Sequence, residues 1–344
     1  MTVQSVTTLG GTASHVKVGK VAHGVMMMTW TPKPVPDDIA FEAIKAGIDS
    51  MPSGVRMYIS SCEFFSLAYD TANLELLARF FEKYPGYADR VFLAVHGGSQ
   101  LGSLKIDASP ENLRRSITNI NAALRGTKRV DLFQCGRVDQ SYPIWETIGL
   151  LKGFIAEGLF DHIGMTECSA ATVRRAHAVH PITAVEIEVS PWSMESETKK
   201  VLATAQELDI AVIAYSPLGR GFLTGQIKSF DDIPEGDLRR RLTRFCDPEC
   251  FKANLALVDA LTALAAKKSS TPSKLCIAFV ASLGPKVIPI PGSSSAMRTL
   301  ENTYAADEYF APEELAEIWK IIDEYEVKGD RYFGLDPKAM NLWG

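Results

Sequence analysis

A chain of 344 residues is long enough for two ordinary domains or one large α/β barrel, and 46% hydrophobic with 22% charged residues is the composition of a globular protein with a sizeable core. A net charge of −5 supplies no basic field for nucleic acid or an anionic membrane. The start, MTVQSVTTLGGTASH, has no basic segment leading into an apolar one, and no run of about 18 apolar residues follows, which reads against a secretory signal and a membrane span.

The first apolar run, VAHGVMM (21–27), predicts a strand, and 37–49 after it shows the i, i+3, i+4, i+7 spacing of an amphipathic helix. The pairing then repeats: MYISS (57–61) with 69–84, VFLAVHG (91–97) with 110–125, VDLFQCG (130–136) with 143–157, and HIGMTE (162–167) with 170–179. It continues through AVEIEVS (184–190) with 197–208, AVIAYSP (211–217) with 253–267, and VIPIPG (287–292) with 295–306. Ser109-Pro110 and Thr271-Pro272 mark helix starts, the second opening an additional helix over 272–283. The strands are continuous apolar runs, as strands covered on both faces require, and eight strand–helix pairs predict a (β/α)8 TIM barrel as one domain over 1–344. A doubly wound sheet would need a glycine fingerprint after its first strand, where Gly24 is followed by Val-Met-Met-Met. Two stretches lie outside the repeat: a long polar loop over 218–250, and a segment 311–344 with one helix and the tail GDRYFGLDPKAMNLWG.

Six cysteines (Cys62, Cys135, Cys168, Cys246, Cys250, Cys276) are too sparse for a disulfide scaffold and read as reduced thiols of a cytoplasmic protein. Cys246 and Cys250 lack a second pair or a nearby histidine, so no metal site is expected.

Barrels of this kind carry their chemistry at the C-terminal strand ends. There the chain places Trp30, then Ser60 to Phe65, His96, Cys135 to Arg137, Thr166 to Cys168, Glu186, Glu188, Tyr215 and Ser216. AYSPLGRGFLTG (214–225), IPIPGSSSAMRTLEN (288–302), SPENLRRSI (109–117) and HIGMTECSAATVRRA (162–176) resemble segments of the aldo-keto reductases, most closely the fungal pyridoxal reductase type. The resemblance implies NADP(H): Ser216, Leu218 and Gly219 on the pyrophosphate loop, Tyr215 stacked on the nicotinamide, and Thr166 with Glu186 at its carboxamide. It further implies Glu301 and Asn302 at the adenine, and Arg298 at the 2′-phosphate. The residues support this physically, since Gly292, Ser293 and Ser294 stand between a strand and a helix, where backbone N–H groups cradle phosphate.

The resemblance also implies a catalytic set of aspartate, tyrosine, lysine and histidine, and here its places fall on Ser60, Phe65, His96 and Gly136. Phenylalanine carries no ionisable proton, whereas a histidine titrates near neutrality and can give or take one. His96 is therefore the expected proton shuttle, with Glu63 or Glu167 as a partner and Cys62 as a conceivable thiolate nucleophile beside it. Arg137 is expected to hold an anionic substrate or to pair with Asp139. Trp30, Phe64, Phe65 and Trp192 are expected to form an aromatic substrate pocket. Three functions fit: redox-neutral acid–base chemistry (dehydration, isomerisation or cyclisation) on a small carbonyl-containing or polyketide-like substrate, NADPH-dependent carbonyl reduction with His96 as donor, or non-catalytic NADP(H) binding. The partner expected is a small molecule, and no oligomeric state is assigned.

Overall fold

The computed structural model describes residues 2–332 and 340–344. The chain opens with a hairpin of β1 (Val6–Thr8) and β2 (Lys17–Gly19), then runs through β3 (His23–Gly24), α1 (Asp37–Asp49), β4 (Met57–Cys62), α2 (Ala72–Lys83), β5 (Val91–Gly97) and α3 (Pro110–Leu124). β6 (Leu132–Cys135), α4 (Ile144–Ala156), β7 (His162–Thr166), α5 (Ala170–Val179), β8 (Ala184–Glu188), α6 (Ser196–Glu207) and β9 (Ala211–Tyr215) follow. The last third holds α7 (Thr243–Cys246), α8 (Pro248–Lys267), α9 (Pro272–Ser282), β10 (Val287–Ile290), α10 (Ala296–Tyr304) and α11 (Pro312–Glu324).

Strands β3 to β10 lie in chain order and all pair in parallel. The last meets the first: Ala22 N–H donates to the Pro289 carbonyl at 2.9 Å and Gly24 N–H to that of Pro291 at 3.1 Å. The sheet is thus a closed (β/α)8 TIM barrel. Alternate residues of each strand face the same side, so Tyr58, Phe92, Leu132, Ile213 and Ile288 fill the interior. The intervening residues pack outward against the helices.

Three sequence expectations are corrected. The strand expected over 21–27 is only two residues long, because the chain turns through a 3-10 segment at Met26–Met28. The loop expected over 218–250 contains 3-10 turns at Gly219–Thr224, Phe230–Asp232 and Leu238–Arg241. It ends at 247, earlier than expected, because Asp247 caps α8 by accepting the Cys250 N–H at 2.8 Å, with Pro248 at the first helical position. The N-terminal hairpin was not expected at all. It plugs the far end of the barrel with Leu9, Ala13 and Val18. Gly10 permits this approach: a Cβ there would stand 2.1 Å from the Asp209 carbonyl oxygen.

Candidate active site

Inward positions near the C-terminal ends of five consecutive strands form one buried polar cluster. His96 on β5 is its centre, 6% exposed. Its Nε2 lies 3.1 Å from Ser60 Oγ on β4, 3.1 Å from Glu186 Oε2 on β8 and 2.7 Å from Gln134 Nε2 on β6. Its Nδ1 lies 3.5 Å from Thr166 Oγ1 on β7. Gln134 also donates to Glu186 Oε2 at 2.9 Å, and Ser60 Oγ donates to it at 3.2 Å. The Gln134 amide lies between His96 Nε2 and Glu186 Oε2, and the imidazole presents Nε2 to Glu186 and Nδ1 to Thr166. When Nε2 gains a proton, Glu186 Oε2 stands ready to accept it as a charge-assisted hydrogen bond. Below the cluster, burial, and then the charge of Glu186, push the Tyr58 hydroxyl well above its ordinary pKa.

Above this cluster stand the aromatic residues. Phe65 is 6.1 Å from the His96 ring, and Trp30 lies 5.7 Å from Phe65 and 6.4 Å from Phe64. Tyr69, unanticipated, joins them at 5.9 Å from Trp30. The Phe65 carbonyl is held by Thr29 Oγ1 at 2.5 Å, and Thr29 in turn accepts from Asn73 Nδ2 at 2.7 Å. Gly136 makes room for Phe64, since a Cβ there would meet Phe64 Cζ at 3.3 Å.

Several expected roles are corrected. Glu63 does not face His96. It turns outward to α3, accepting from Arg115 Nη1 at 2.6 Å, Ser116 Oγ at 2.5 Å and Asn119 Nδ2 at 2.9 Å. Cys62 is fully buried, and His96 makes its hydrogen bonds elsewhere. Burial, with Glu63 and Glu186 adding to it, drives the Cys62 thiol far above its ordinary pKa, against a thiolate role. Burial likewise pushes Cys135 up to about 12 and raises Cys168. Among the described residues Arg137 makes no ion pair with Asp139. Its Nη1 donates to the Met340 carbonyl at 2.6 Å and its guanidinium lies 4.9 Å from the Tyr332 ring centre. Trp192 is not in the aromatic pocket. It lies under the loop after β9, stacked on Phe222 at 5.2 Å.

The sequence reading missed a second cluster, brought in by the C-terminal segment. Arg331 donates to Glu188 Oε2 at 2.9 Å, to Glu167 Oε1 at 3.0 Å and to the Tyr215 hydroxyl at 3.2 Å. Tyr332 shares a hydrogen bond with the Tyr215 hydroxyl at 2.9 Å, and Arg220 sits 4.7 Å over its ring. The end of the chain returns to the same place, with Trp343 N–H donating to the Glu167 carbonyl at 2.8 Å. Burial alone would raise the Glu188 carboxyl. The guanidinium groups of Arg331, Arg220 and Arg244 outweigh it and hold the group at about 2. Residues 333–339 of the tail lie outside the described residues.

The residues expected around a dinucleotide fit one. Ser295 makes no side-chain cap on α10, so the N–H groups of the first turn stay open beside Gly292, Ser293 and Ser294. Arg298 on that turn is exposed, with no ion pair recorded among the described residues, while Glu301 accepts from Thr271 and Asn302 is buried. In the loop after β9, Ser216, Gly219, Arg220 and Gly221 all take left-handed backbone conformations. Only glycine fits at 219, because a Cβ would strike the Trp192 ring at 2.6 Å. Leu218 lies half-buried in the same turn. Glu186 leaves Oε1 free of protein hydrogen bonds among the described residues, available to a carboxamide N–H.

Among the described residues no helix is long and apolar enough to cross a membrane. The chain is 37% identical over 321 residues to "Probable pyridoxal reductase 2" of Schizosaccharomyces pombe, covering 92% of this chain and 95% of that protein. It is 36% identical over 267 residues to "Aldo-keto reductase yakc [NADP(+)]" of the same yeast, covering 76% and 78%. The glycerol dehydrogenase AKR11B4 from Gluconobacter oxydans shares the fold, with a TM-score of 0.77 at 21% identity over 96% of this chain and 98% of that one. The pattern of the aldo/keto reductase family, whose cofactor is NADP(H), matches residues 20–323. The match over residues 20–323 and these likenesses place the chain, with its closed barrel, in the aldo/keto reductase family.

Proposed function

We propose that the protein is an NADPH-dependent reductase of small carbonyl compounds in which His96 supplies the proton taken up by the carbonyl oxygen. The observation that carries this reading is the His96 Nε2 to Glu186 Oε2 distance of 3.1 Å inside the cluster of Ser60, Gln134 and Thr166. NADPH, when bound, supplies the hydride that reduces a carbonyl carbon. The protein's part is to seat it and to manage the proton. Gly292, Ser293, Ser294 and Arg298 hold the adenosine phosphates, Ser216, Leu218 and Gly219 the pyrophosphate, and Glu301 with Asn302 the adenine. Tyr215 packs against the nicotinamide, whose amide meets Thr166 and Glu186 Oε1. A carbonyl oxygen pointed at His96 takes its proton, and Glu186 steadies the imidazolium before the transfer. Phe65, Phe64 and Trp30 keep the site dry, which strengthens these electrostatic contacts.

A second reading, redox-neutral dehydration, isomerisation or cyclisation by the same histidine, draws support from Gly136. The Phe64 edge stands where a larger side chain there would reach, so position 136 supplies no polar side chain to orient a carbonyl, and the polar group of β6, Gln134, is bonded to His96 and Glu186. One measurement separates the readings. His96→Ala should lower turnover by about 10² to 10⁴ and leave NADPH binding unchanged. One NADPH is consumed per product, read as absorbance at 340 nm, if the protein is a reductase. Product formed without loss of absorbance supports redox-neutral chemistry instead, and full activity in His96→Ala excludes both.

A further inference from the structure

Strand β3 is only His23 and Gly24, and both residues meet the chain that follows β10. Gly24 pairs with Gly292 across the seam of the barrel. His23 is 2% exposed, and its Nε2 lies 2.9 Å from the Ser293 carbonyl oxygen, in the turn between β10 and α10. Burial holds the imidazole pKa below its ordinary value and the bond to Ser293 offsets this only in part, so the ring is neutral at neutral pH. A carbonyl oxygen only accepts, so the neutral ring carries its proton on Nε2 and donates it to Ser293. Its Nδ1 has no hydrogen-bond partner. Room for the ring comes from Gly47 inside α1, where a Cβ would crowd Met57 at 3.1 Å and the Thr299 methyl of α10 at 3.2 Å, with His23 Nδ1 at 3.6 Å. Glycine weakens a helix interior; here it lets the imidazole and α10 pack close against α1.

The bond fixes more than a carbonyl. The peptide joining Ser293 to Ser294 is trans, and the C=O and N–H of a trans peptide point in opposite directions. With the Ser293 carbonyl turned in to the buried imidazole, the Ser294 N–H turns away from it, at a half-buried residue, and no partner is recorded for that N–H among the described residues. The Ser293 hydroxyl is committed within the turn: it accepts the Ser295 N–H at 3.1 Å and donates to the Ser295 carbonyl at 3.0 Å. The Ser294 N–H is therefore a donor free for a ligand, and a side chain of another strand sets its direction.

We propose that His23 is a positioning residue for the adenosine phosphates of the cofactor: by holding the Ser293 carbonyl from behind, it keeps the Ser294 N–H aimed at a phosphate oxygen. The proposal rests on the reading that this turn seats those phosphates, and the test separates the two. The full chain is titrated calorimetrically with adenosine 2′,5′-bisphosphate, which carries the phosphates without the nicotinamide. His23→Leu leaves the Ser293 carbonyl without its donor and free to turn, and should weaken binding about 10-fold. His23→Gln keeps an amide N–H near the place of Nε2 and should stay within about 3-fold of wild type. Crystals of the wild-type complex give a reading that needs no variant: the Ser294 nitrogen should lie within hydrogen-bond distance of a phosphate oxygen, with the Ser293 carbonyl still on His23. Unchanged affinity in His23→Leu, equal loss in the leucine and glutamine variants, or a complex in which this peptide has flipped off His23 overturns the positioning role and leaves the cofactor reading in place. Wild type that binds no bisphosphate overturns both.

Discussion

Replacing Arg331 by methionine removes the cation that closes the barrel mouth while keeping most of its apolar bulk. In the folded protein the Glu188 carboxyl lies at about 2 against an ordinary 4.5, a fall of about 2.5. At about 1.4 kcal/mol per pK unit, that is roughly 3.5 kcal/mol of stability at neutral pH. The side chains of Glu188 and Arg331 are 2% and 8% exposed, so solvent screens little of it. Burial opposes ionisation of Glu188, and Arg331 leads the cations that overcome it. Arg220, at 3.8 Å, remains in the variant. Glu167 loses its ion pair outright, and the Tyr215 hydroxyl loses a donor. Breaking one side of such a buried set is expected to destabilise the protein by about 3 to 5 kcal/mol at pH 7. A carboxylate with a depressed folded pKa contributes its stability above the unfolded value of 4.5, and the contribution is lost as pH falls toward 2. The gap between wild type and Arg331→Met should therefore narrow by more than about 1 kcal/mol between pH 7 and pH 3. Urea unfolding followed by tryptophan fluorescence at both pH values measures it. A gap below about 1 kcal/mol at pH 7, or one that does not narrow in acid, refutes the argument.

Two further outcomes are expected. On the proposed reading Arg298→Ala should bring NADPH affinity down to that for NADH, since this exposed guanidinium, with no ion pair among the described residues, stands beside the open turn of α10; unchanged discrimination in a binding titration removes it from that role. The double variant Phe65→Tyr with His96→Lys should not reach the carbonyl-reducing rates of its relatives, because Gly136, with the Phe64 edge against it, supplies no side chain to orient the carbonyl. Steady-state rates with simple aldehydes decide it, and full rates would mean the rest of the site was intact.

Local pattern was enough for the barrel. Eight apolar runs separated by helical periodicity leave few ways to bury both faces of each strand, and the helix starts at Ser109 and Thr271 carry their own side-chain caps. The turn at 292–295 between β10 and α10 was legible for the same reason, being a property of one strand, one turn and one helix. His96 was legible as an inward residue at a strand end, but its partner was not. Glu63 and Glu186 are both acidic residues near strand ends, and only the barrel's closure decides which side chain crosses to His96 and which turns out to Arg115. Gln134 lies two residues before Gly136, in register to face inward, yet nothing local to β6 says that it bridges His96 and Glu186. The hairpin at 6–19 and the return of Arg331 to Glu188 join residues far apart in the chain. Local periodicity carries no information about such pairings. They depend on the long-range geometry that the closed barrel imposes on its two ends, and there the charge network of the mouth was decided.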